Sequence, residues 1–322
     1  MAPVTREPLV SAIIPTRHRP QLLERAVASA LAQTWSALDV VVVDDASEPE
    51  MRLPAFEDPR VHVVRLSEPS GPGAARNAGI ARARGELIAF LDDDDEWRPD
   101  KTARQVQHLL AGGPALAWVA CGYDLWNGSR LVQRTHPPSG DLRHGLLANP
   151  CLAPSTVLLR RSAVEAVGGF DPTVYRCEDW DLWVRLADGH RLETLREVLV
   201  DRRQHALPPE ETLKALQAMV ARLGGRIDAL PSGKRDKVRA HHELVYGVLH
   251  AQMGRPSEAR ALMWSAWRRH PGSPRPLLHM LRTVTGELIW EGAAARLRRP
   301  HVRGTISGGR KARPAAPPRV RP

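Results

Sequence analysis

The sequence has little of what marks secreted or membrane-embedded proteins. Its three cysteines, Cys121, Cys151 and Cys177, are an odd number, lie far apart and form no CxxC pair. This usage argues against a structural zinc site and fits a reducing compartment. No apolar stretch approaches the roughly 18–20 residues of a membrane span, and residues 1–8 lack the apolar core of a secretory signal. We therefore expect a cytoplasmic protein, at most peripheral at the inner face of the cell membrane.

Acidic residues are absent from the C-terminal end. Residues 296–322 contain nine Lys/Arg and no acid, which leaves a net charge of +1 for residues 1–295 out of a total of +10. The basic character therefore belongs to a tail, and no nucleic-acid partner is expected. Residues 301–322 are predicted to be a basic disordered tail. It could attract anionic lipid headgroups, or it could be a solvated tail that binds nothing specific.

A short apolar run ends in four aspartates, Asp92 to Asp95. The run has the length of a buried strand, and open α/β sheets bind ligands at the carboxyl edge where such a strand ends. Clustered carboxylates repel one another unless a cation lies among them, and the hard cations Mg²⁺ and Mn²⁺ prefer oxygen ligands. A solvated acidic turn is the alternative for the run taken alone.

The first third of the chain reads as β-α-β-β-α-β-α. The β-branched run at 39–43 suits a strand covered on both faces, and it ends in Asp44 and Asp45. This order predicts an α/β fold with a mostly parallel sheet and helices on both faces. Two strands then present paired aspartates at one edge. The glycine-rich stretch 71–79 is neither a dinucleotide fingerprint nor a P-loop.

The second part of the chain is less regular. Strands are predicted at 115–121, 155–159 and 192–200, a capping box at 162–165 should open a short helix, and the polar stretch 122–149 is interpreted as a binding loop or flap. A helix opens near Cys177, so Glu178 and Asp179 could simply match its dipole. His205 follows the last strand, where it could be a surface residue or a ligand.

The remaining chain up to about residue 299 is predicted to be helical, with helices at 213–223, 241–252, 257–270, 276–282 and 288–299.

Six stretches together resemble family 2 glycosyltransferases of the bacterial, non-processive type with a GT-A fold. They are VSAIIPTR at 10–17, VVDDAS at 42–47, GAARNAG at 73–79, FLDDDDEW at 90–97, GGFD at 168–171 and EDWDLW at 178–183. None is specific alone, but all occur in the family's order over about residues 9–205. The resemblance implies a GT-A nucleotide-diphospho-sugar transferase domain at 1–205, with a donor part at 9–112 and an acceptor part at 113–205. A helical C-terminal region at 206–300 and the tail follow.

The resemblance also implies a donor site. Asp45 would read the nucleobase with Asp44 beside it, and Pro15, Thr16 and Arg17 would line the same pocket. Asn77 joins this predicted nucleotide-sugar set. UDP-sugars are the favoured donors.

The implied metal and catalytic residues lie further along the chain. Asp94 would bind Mn²⁺ or Mg²⁺ directly, Asp92 and Asp93 would support the metal and the ribose, and His205 would touch the metal or the diphosphate. Asp179, with Glu178, matches the position of the general base.

These roles together predict an inverting, metal-dependent transferase that moves one sugar to an acceptor hydroxyl in polysaccharide, glycolipid or cell-envelope glycan synthesis. The acceptor would be a glycan or a lipid-linked molecule, and residues 122–150 together with the C-terminal helices would select it. A processive synthase would carry a QxxRW-type motif and membrane helices, which are lacking.

Two alternatives stay open. A sugar nucleotidyltransferase needs a glycine-rich loop after the first strand, where residues 15–19 hold no glycine, and a degenerate GT-A-like binding module needs no catalysis.

Overall fold

The computed structural model describes residues 7–204 and 208–285. Within these residues nine strands form one sheet: β1 Val10–Thr16, β2 Leu38–Asp44, β3 Val61–Arg65, β4 Leu87–Phe90, β5 Glu96–Trp97, β6 Trp118–Asn127, β7 Arg130–Thr135, β8 Val157–Arg160 and β9 Leu192–Arg203. The helices are α1 Pro20–Leu31, α2 Gly71–Arg82, α3 Lys101–Ala111, α4 Arg143–Ala148, α5 Arg161–Ala166, α6 Glu178–Gly189, α7 Pro209–Arg222, α8 Gly224–Asp228, α9 Ser232–Gln252, α10 Pro256–Arg269 and α11 Arg275–Thr285.

The strand order is β3-β2-β1-β4-β8-β6-β9-β5, with β7 paired to β6. β3, β2, β1 and β4 are parallel, and Thr16 lies opposite Asp44 at the carboxyl ends of β1 and β2. β8 runs antiparallel to β4 and β6, whereas β6 and β9 are parallel. The predicted mostly parallel α/β sheet is confirmed. The carboxyl ends of its parallel strands β3, β2, β1 and β4 lie at one edge.

Both faces of the sheet are covered. Alternate residues of β1 point to opposite sides, so that Ile13 packs in one core with α2 and α6 while Ala12 and Ile14 pack in the other with α1 and α3. On α1 the buried side chains recur at helical spacing, which is why this segment forms an amphipathic helix over the sheet. The two cores hold the strand ends in place.

The stretch 122–149 is not the loop that we predicted. β6 continues to Asn127, the chain turns at Gly128, and β7 returns antiparallel to it before α4 forms. β7 is a largely exposed edge strand and therefore lacks the apolar alternation that signals a strand. The capping-box prediction was also wrong, because α5 starts at Arg161 and no side chain caps it.

The C-terminal helices are confirmed from α7 to α11. α7, α8 and the start of α9 share the core of α6, whereas α9 and α10 pack through a separate cluster that includes Ala251, Ala259 and Met263. The predicted helix at 288–299 and the tail lie outside the described residues, as does the domain boundary at 205. Across 7–204 and 208–285, each helix is too short or too polar to cross a membrane.

Candidate active site

A cleft of about 570 Å³ lies at the carboxyl ends of β1, β2 and β4. Seven residues that the sequence predicts for the donor and metal sites line it together: Pro15, Thr16, Arg17, Asp45, Asp92, Asp93 and Asp94. They meet because β1 is paired in parallel with both β2 and β4, so the three strand ends are neighbours. The predicted convergence of separate strand ends on one cleft is therefore a feature of the fold.

Asp45 is buried at the floor of this cleft. Its carboxylate oxygens accept hydrogen bonds from the backbone N–H groups of Ser70 (2.7 Å) and Gly71 (3.0 Å), at the start of α2. These two bonds at a helix N-terminus, where the helix dipole favours a carboxylate, hold the Asp45 side chain in one orientation. Asp44 points elsewhere, since it accepts from the backbone N–H of Ser47 (3.0 Å) and pairs with Arg65 (3.5 Å).

Three of the four consecutive aspartates can offer oxygens to one ion. Carboxylate oxygens of Asp92, Asp94 and Asp95 all lie within 4.8 Å of one another. Asp93 is different, because it accepts a hydrogen bond from the Thr16 hydroxyl (2.7 Å) and an ion pair from Arg19 (3.2 Å). Burial raises the pKa of Asp93, although Thr16 and Arg19 oppose the shift. Asp93 therefore ties β4 to β1.

Asp95 belongs to the cluster although we did not predict a role for it. It is 1% exposed and accepts hydrogen bonds from the Ser155 hydroxyl (2.7 Å), Arg202 (3.1 Å) and the backbone N–H of Arg203 (3.1 Å). Burial raises the pKa of Asp95 to about 7, with Arg202 opposing this. With three donors on its two oxygens and 1% exposure, Asp95 anchors the end of β9. Asp92 and Asp94 each pair with one arginine, Arg76 (2.6 Å) and Arg19 (3.2 Å), and line the cleft, so they are the better metal ligands.

Arg76 connects the aspartates to α6. This 4% exposed side chain on α2 donates to Asp92 (2.6 Å) with one nitrogen and to Glu178 (2.7 Å) with the other. Burial lowers the pKa of Arg76, but the two carboxylates outweigh it and the pKa is raised. A permanently charged guanidinium can hold two carboxylates in one plane, which a lysine cannot. We did not predict this role, although Arg76 lies within the GAARNAG stretch.

Asp179 lies in the first turn of α6, beside Glu178. Its carboxylate accepts from the backbone N–H of Trp180 (2.8 Å). Burial and the neighbouring Glu178 raise the pKa of Asp179 to about 7, while Arg76 opposes the shift. The preceding Cys177 has a φ of 63°, a left-handed conformation that costs energy for a residue other than glycine. The backbone is therefore locally strained at Cys177, two residues before Asp179.

Among the described residues, four predicted site residues do not line the cleft: Asp44, Asn77, Glu178 and Asp179. Glu178 is joined to the cleft through its ion pair with Arg76. The Asn77 side chain donates to the carbonyl of Phe170 (2.7 Å) and accepts from its N–H (2.9 Å), so it fastens α2 to the turn before α6. We therefore leave Asn77 out of the donor site. His205 lies outside the described residues, and its role stays a prediction.

Further residues line the cleft without having been predicted: His18, Arg19, Gly71, Pro72, Ala75, Tyr175, Arg202 and Arg203. Arg202 and Arg203 are the last residues of β9. Their position just after the predicted strand 192–200 was the feature of the sequence that could have placed them at the cleft. Arginine side chains facing aspartates give the cleft both signs of charge. A diphosphate with a bound cation has the same combination, with oxygens for arginine and a positive ion for carboxylates.

The chain matches the family model described as Glycosyl transferase family 2 over residues 11–168. The putative teichuronic acid biosynthesis glycosyltransferase TuaG of Bacillus subtilis (strain 168) is 32% identical over 185 residues, which are 56% of this chain and 72% of TuaG.

Solved structures agree in fold at low identity. The crystal structure of S. aureus TarS 1–349 in complex with UDP-GlcNAc has a TM-score of 0.59 and 18% identity, and the match covers 90% of each chain. The mannosyltransferase PcManGT from Pyrobaculum calidifontis, in complex with GDP-Man and Mn²⁺, has a TM-score of 0.60 and 21% identity over 91% of this chain and 85% of its own. The predicted GT-A fold is thereby confirmed. The sequence match to TuaG and to the family model shows that this chain belongs to glycosyl transferase family 2 and is a glycosyltransferase.

Proposed function

We propose that this enzyme transfers one sugar at a time from a nucleotide-diphosphate sugar to an acceptor hydroxyl, with inversion at the anomeric carbon and with Mn²⁺ or Mg²⁺. The observation that carries the proposal is the cluster of Asp92, Asp94 and Asp95 oxygens within 4.8 Å, of which Asp92 and Asp94 line the cleft together with Asp45. The teichuronic acid assignment of TuaG supports a role in cell-envelope polysaccharide or glycolipid synthesis.

The donor would bind along the ends of β1 and β2. Asp45 would accept a hydrogen bond from the nucleobase, because each carboxylate oxygen has a second lone pair beyond its bond to the α2 backbone. Pro15, Thr16 and Arg17 line the same wall. The neighbours TarS and PcManGT hold UDP-GlcNAc and GDP-Man respectively, and UDP-sugars are the donors that we favour.

The donor set fits a hard divalent cation, because Asp92 and Asp94 supply carboxylate oxygens of the kind that Mg²⁺ and Mn²⁺ prefer. When bound there, the ion would act as a Lewis acid toward the leaving diphosphate. Arg202 and Arg203 line the same cleft and would donate hydrogen bonds to diphosphate oxygens. Both effects stabilise the negative charge that develops when the bond between sugar and phosphate breaks.

Asp179 would take the proton from the acceptor hydroxyl as that oxygen attacks. Its raised pKa, about 7, makes it a stronger base than an ordinary aspartate and leaves a large fraction ionised near neutral pH. The ion pair between Arg76 and Glu178 holds the start of α6 beside the aspartates. Attack from the side opposite the leaving diphosphate in a single displacement inverts the anomeric centre.

The first test is a thermal-shift screen of UDP-, GDP- and dTDP-sugars with and without Mn²⁺, followed by measurement of nucleotide release. A donor at 100 times its Kd should stabilise the protein by about 2.7 kcal/mol, and we expect this stabilisation to require the metal. Asp94→Ala should lose the metal-dependent part of the shift and the donor turnover while remaining folded.

Asp100→Ala is the matched control, because Asp100 is an exposed carboxylate six residues further along, whose side chain accepts a hydrogen bond from the Thr34 hydroxyl (3.3 Å). It should behave like the wild type. Wild-type turnover in Asp94→Ala would remove Asp94 from the metal site, and failure of every donor to shift the melting temperature would contradict the proposed function.

A further inference from the structure

A second cavity, of about 290 Å³, lies where the C-terminal helices meet the catalytic part of the chain. It is enclosed by the end of α4 with the residues that follow it, by Trp180 of α6, and by α7 and α9. It shares no lining residue with the aspartate cleft among the described residues. It is therefore a separate site on the molecule.

The lining of this cavity is uncharged. Within the described part of the chain, no aspartate, glutamate, lysine or arginine lines it, and Leu216, Val220 and Val245 form apolar walls. Burial lowers the pKa of His242 to about 4, which the backbone of Leu147 and Ala148 opposes only in part, and it lowers the pKa of the adjacent His241 to about 4 as well. Both imidazoles are neutral at pH 7, so a phosphate or another ion would find no counter-charge.

Two polar side chains in the lining lack hydrogen bonds of normal geometry. The Tyr246 hydroxyl has no hydrogen-bond partner within residues 7–204 and 208–285. His242 is 6% exposed, and its ring nitrogens make no hydrogen bond of normal geometry within those residues, although they face the backbone of Leu147 and Ala148. The two are one helical turn apart on α9, with ring centroids 6.4 Å apart. A buried polar group without a partner costs about 1–3 kcal/mol. A neutral imidazole and a phenol offer donors and acceptors that match an uncharged oxygen atom.

The cavity adjoins the catalytic residues on the acceptor side. Trp180, in its wall, directly follows Asp179, and its indole N–H donates to the carbonyl of Leu146 (2.5 Å) in α4. Ala148, Asn149 and Pro150 in the lining come from the end of the segment that we expect to select the acceptor. The residue that follows the proposed base along α6 and the end of the expected acceptor segment thus both form part of the cavity wall.

We propose that this cavity binds the aliphatic part of the acceptor, an uncharged alkyl or prenyl chain with the ether or hydroxyl oxygen at its end. This proposal rests on the glycosyltransferase function proposed above, and it names the class of acceptor. The apolar walls bury the chain, which is favourable by about 0.8 kcal/mol per CH₂ group. His242 and Tyr246 bind the oxygen.

The test compares n-octyl β-D-glucoside, below its micelle concentration, with methyl β-D-glucoside as a probe without the chain. Binding to the full-length protein is followed by calorimetry and by the shift in melting temperature. We expect only the octyl compound to bind. In a panel of octyl and methyl glycosides with a UDP-sugar and Mn²⁺, any sugar that serves as acceptor should have a lower KM as the octyl glycoside.

Two variants locate the effect. Val245→Phe fills the cavity and should abolish octyl binding, whereas Val63→Phe, the same change on an exposed strand residue, should not. His242→Phe removes both ring nitrogens, neither of which makes a hydrogen bond of normal geometry in the described part of the chain. It should raise the melting temperature by about 2–4 °C and weaken octyl binding about tenfold. A structural histidine would instead lower the melting temperature when replaced.

Absence of octyl binding to the wild type, or equal binding to Val245→Phe, overturns the proposal. The donor thermal shift is measured on the same samples, because it must be unchanged in the cavity variants if they are folded. If no donor is bound or turned over while octyl binding persists, the glycosyltransferase mechanism fails and the chain-binding cavity stands apart from it.

Discussion

Four identical residues in a row, Asp92 to Asp95, have different roles because their side chains meet different sets of neighbours. Asp92 pairs with Arg76, Asp93 with Thr16 and Arg19, Asp94 with Arg19, and Asp95 with Ser155 and β9. The environment also separates their acidities, since burial raises the pKa of both Asp93 and Asp95. At the scale of the residue, the role of each aspartate is therefore determined by contacts with residues that are distant in the sequence.

Asp179→Asn should lower kcat by about 10²- to 10⁴-fold, the usual contribution of a general base. Asparagine keeps the size of the side chain and can still accept from the Trp180 N–H, so donor binding should stay at the wild-type level. Kinetics of nucleotide release with acceptor, together with donor thermal shifts, measure the two effects separately. Asp188→Asn, at the exposed far end of α6, should change neither; full activity of Asp179→Asn would place the base elsewhere.

The same residue predicts the pH dependence of transfer. The base must be ionised, and the pKa of Asp179 is raised to about 7 by burial and Glu178. Its protonated, inactive fraction therefore grows as the pH falls below about 7, and kcat should fall tenfold for each further pH unit. A profile of kcat from pH 5 to pH 9 measures this; a plateau extending down to pH 5 would contradict it.

At the scale of the element, α2 determines the geometry of the site. Asp45 caps its start, Arg76 reaches from its middle to two carboxylates, and Asn77 fastens it to Phe170. The helix can approach the sheet this closely because Gly79 has no side chain. A Cβ atom there would lie 2.4 Å from a methyl group of Ile13 on β1.

Gly79→Ala should therefore destabilise the protein by about 1–3 kcal/mol, because the helix or β1 must shift to avoid the clash. It should also lower kcat, since Arg76 moves with the helix. Equilibrium unfolding in urea and steady-state kinetics check the two effects. Gly225→Ala in α8 is the control: a Cβ there meets no atom within 4 Å, so stability should rise by up to about 1 kcal/mol.

At the scale of the whole molecule, charge and cavities are arranged in separate zones. The aspartates and arginines face one cleft, the neutral cavity lies between α9 and α6, and the basic residues of 296–322 come at the end of the chain. Peripheral attachment through the tail stays a prediction from the sequence.

Deletion of residues 301–322 removes six of the nine tail cations. Each cation near an anionic membrane contributes about 1 kcal/mol, so the full-length protein should sediment with anionic liposomes and the truncated protein should remain mostly in the supernatant. Liposomes of neutral lipid and 0.5 M salt are the controls, because both remove the attraction. Equal sedimentation of the two proteins would end the membrane hypothesis.

The sequence by itself determined the strands of the sheet apart from β5 and β7, most of the helices and the donor side of the cleft. Apolar runs such as 39–43 and 87–91 are buried strands in any arrangement, and polar residues at the end of a parallel strand must lie at its carboxyl edge. Motif order then identified the family. These features depend on residues that are close together in the sequence, so the pattern of residue types is sufficient to predict them.

Only the tertiary structure decided which distant side chains complete the site. Asp95 meets Arg202 across more than a hundred residues, Arg76 meets Glu178 in the same way, and His242 faces a cavity formed by four separate segments. Spacing in the sequence contains no information about such pairs, because packing of helices on the sheet brings them together. For the same reason the edge strand β7, which has little burial of its own, became visible only beside β6.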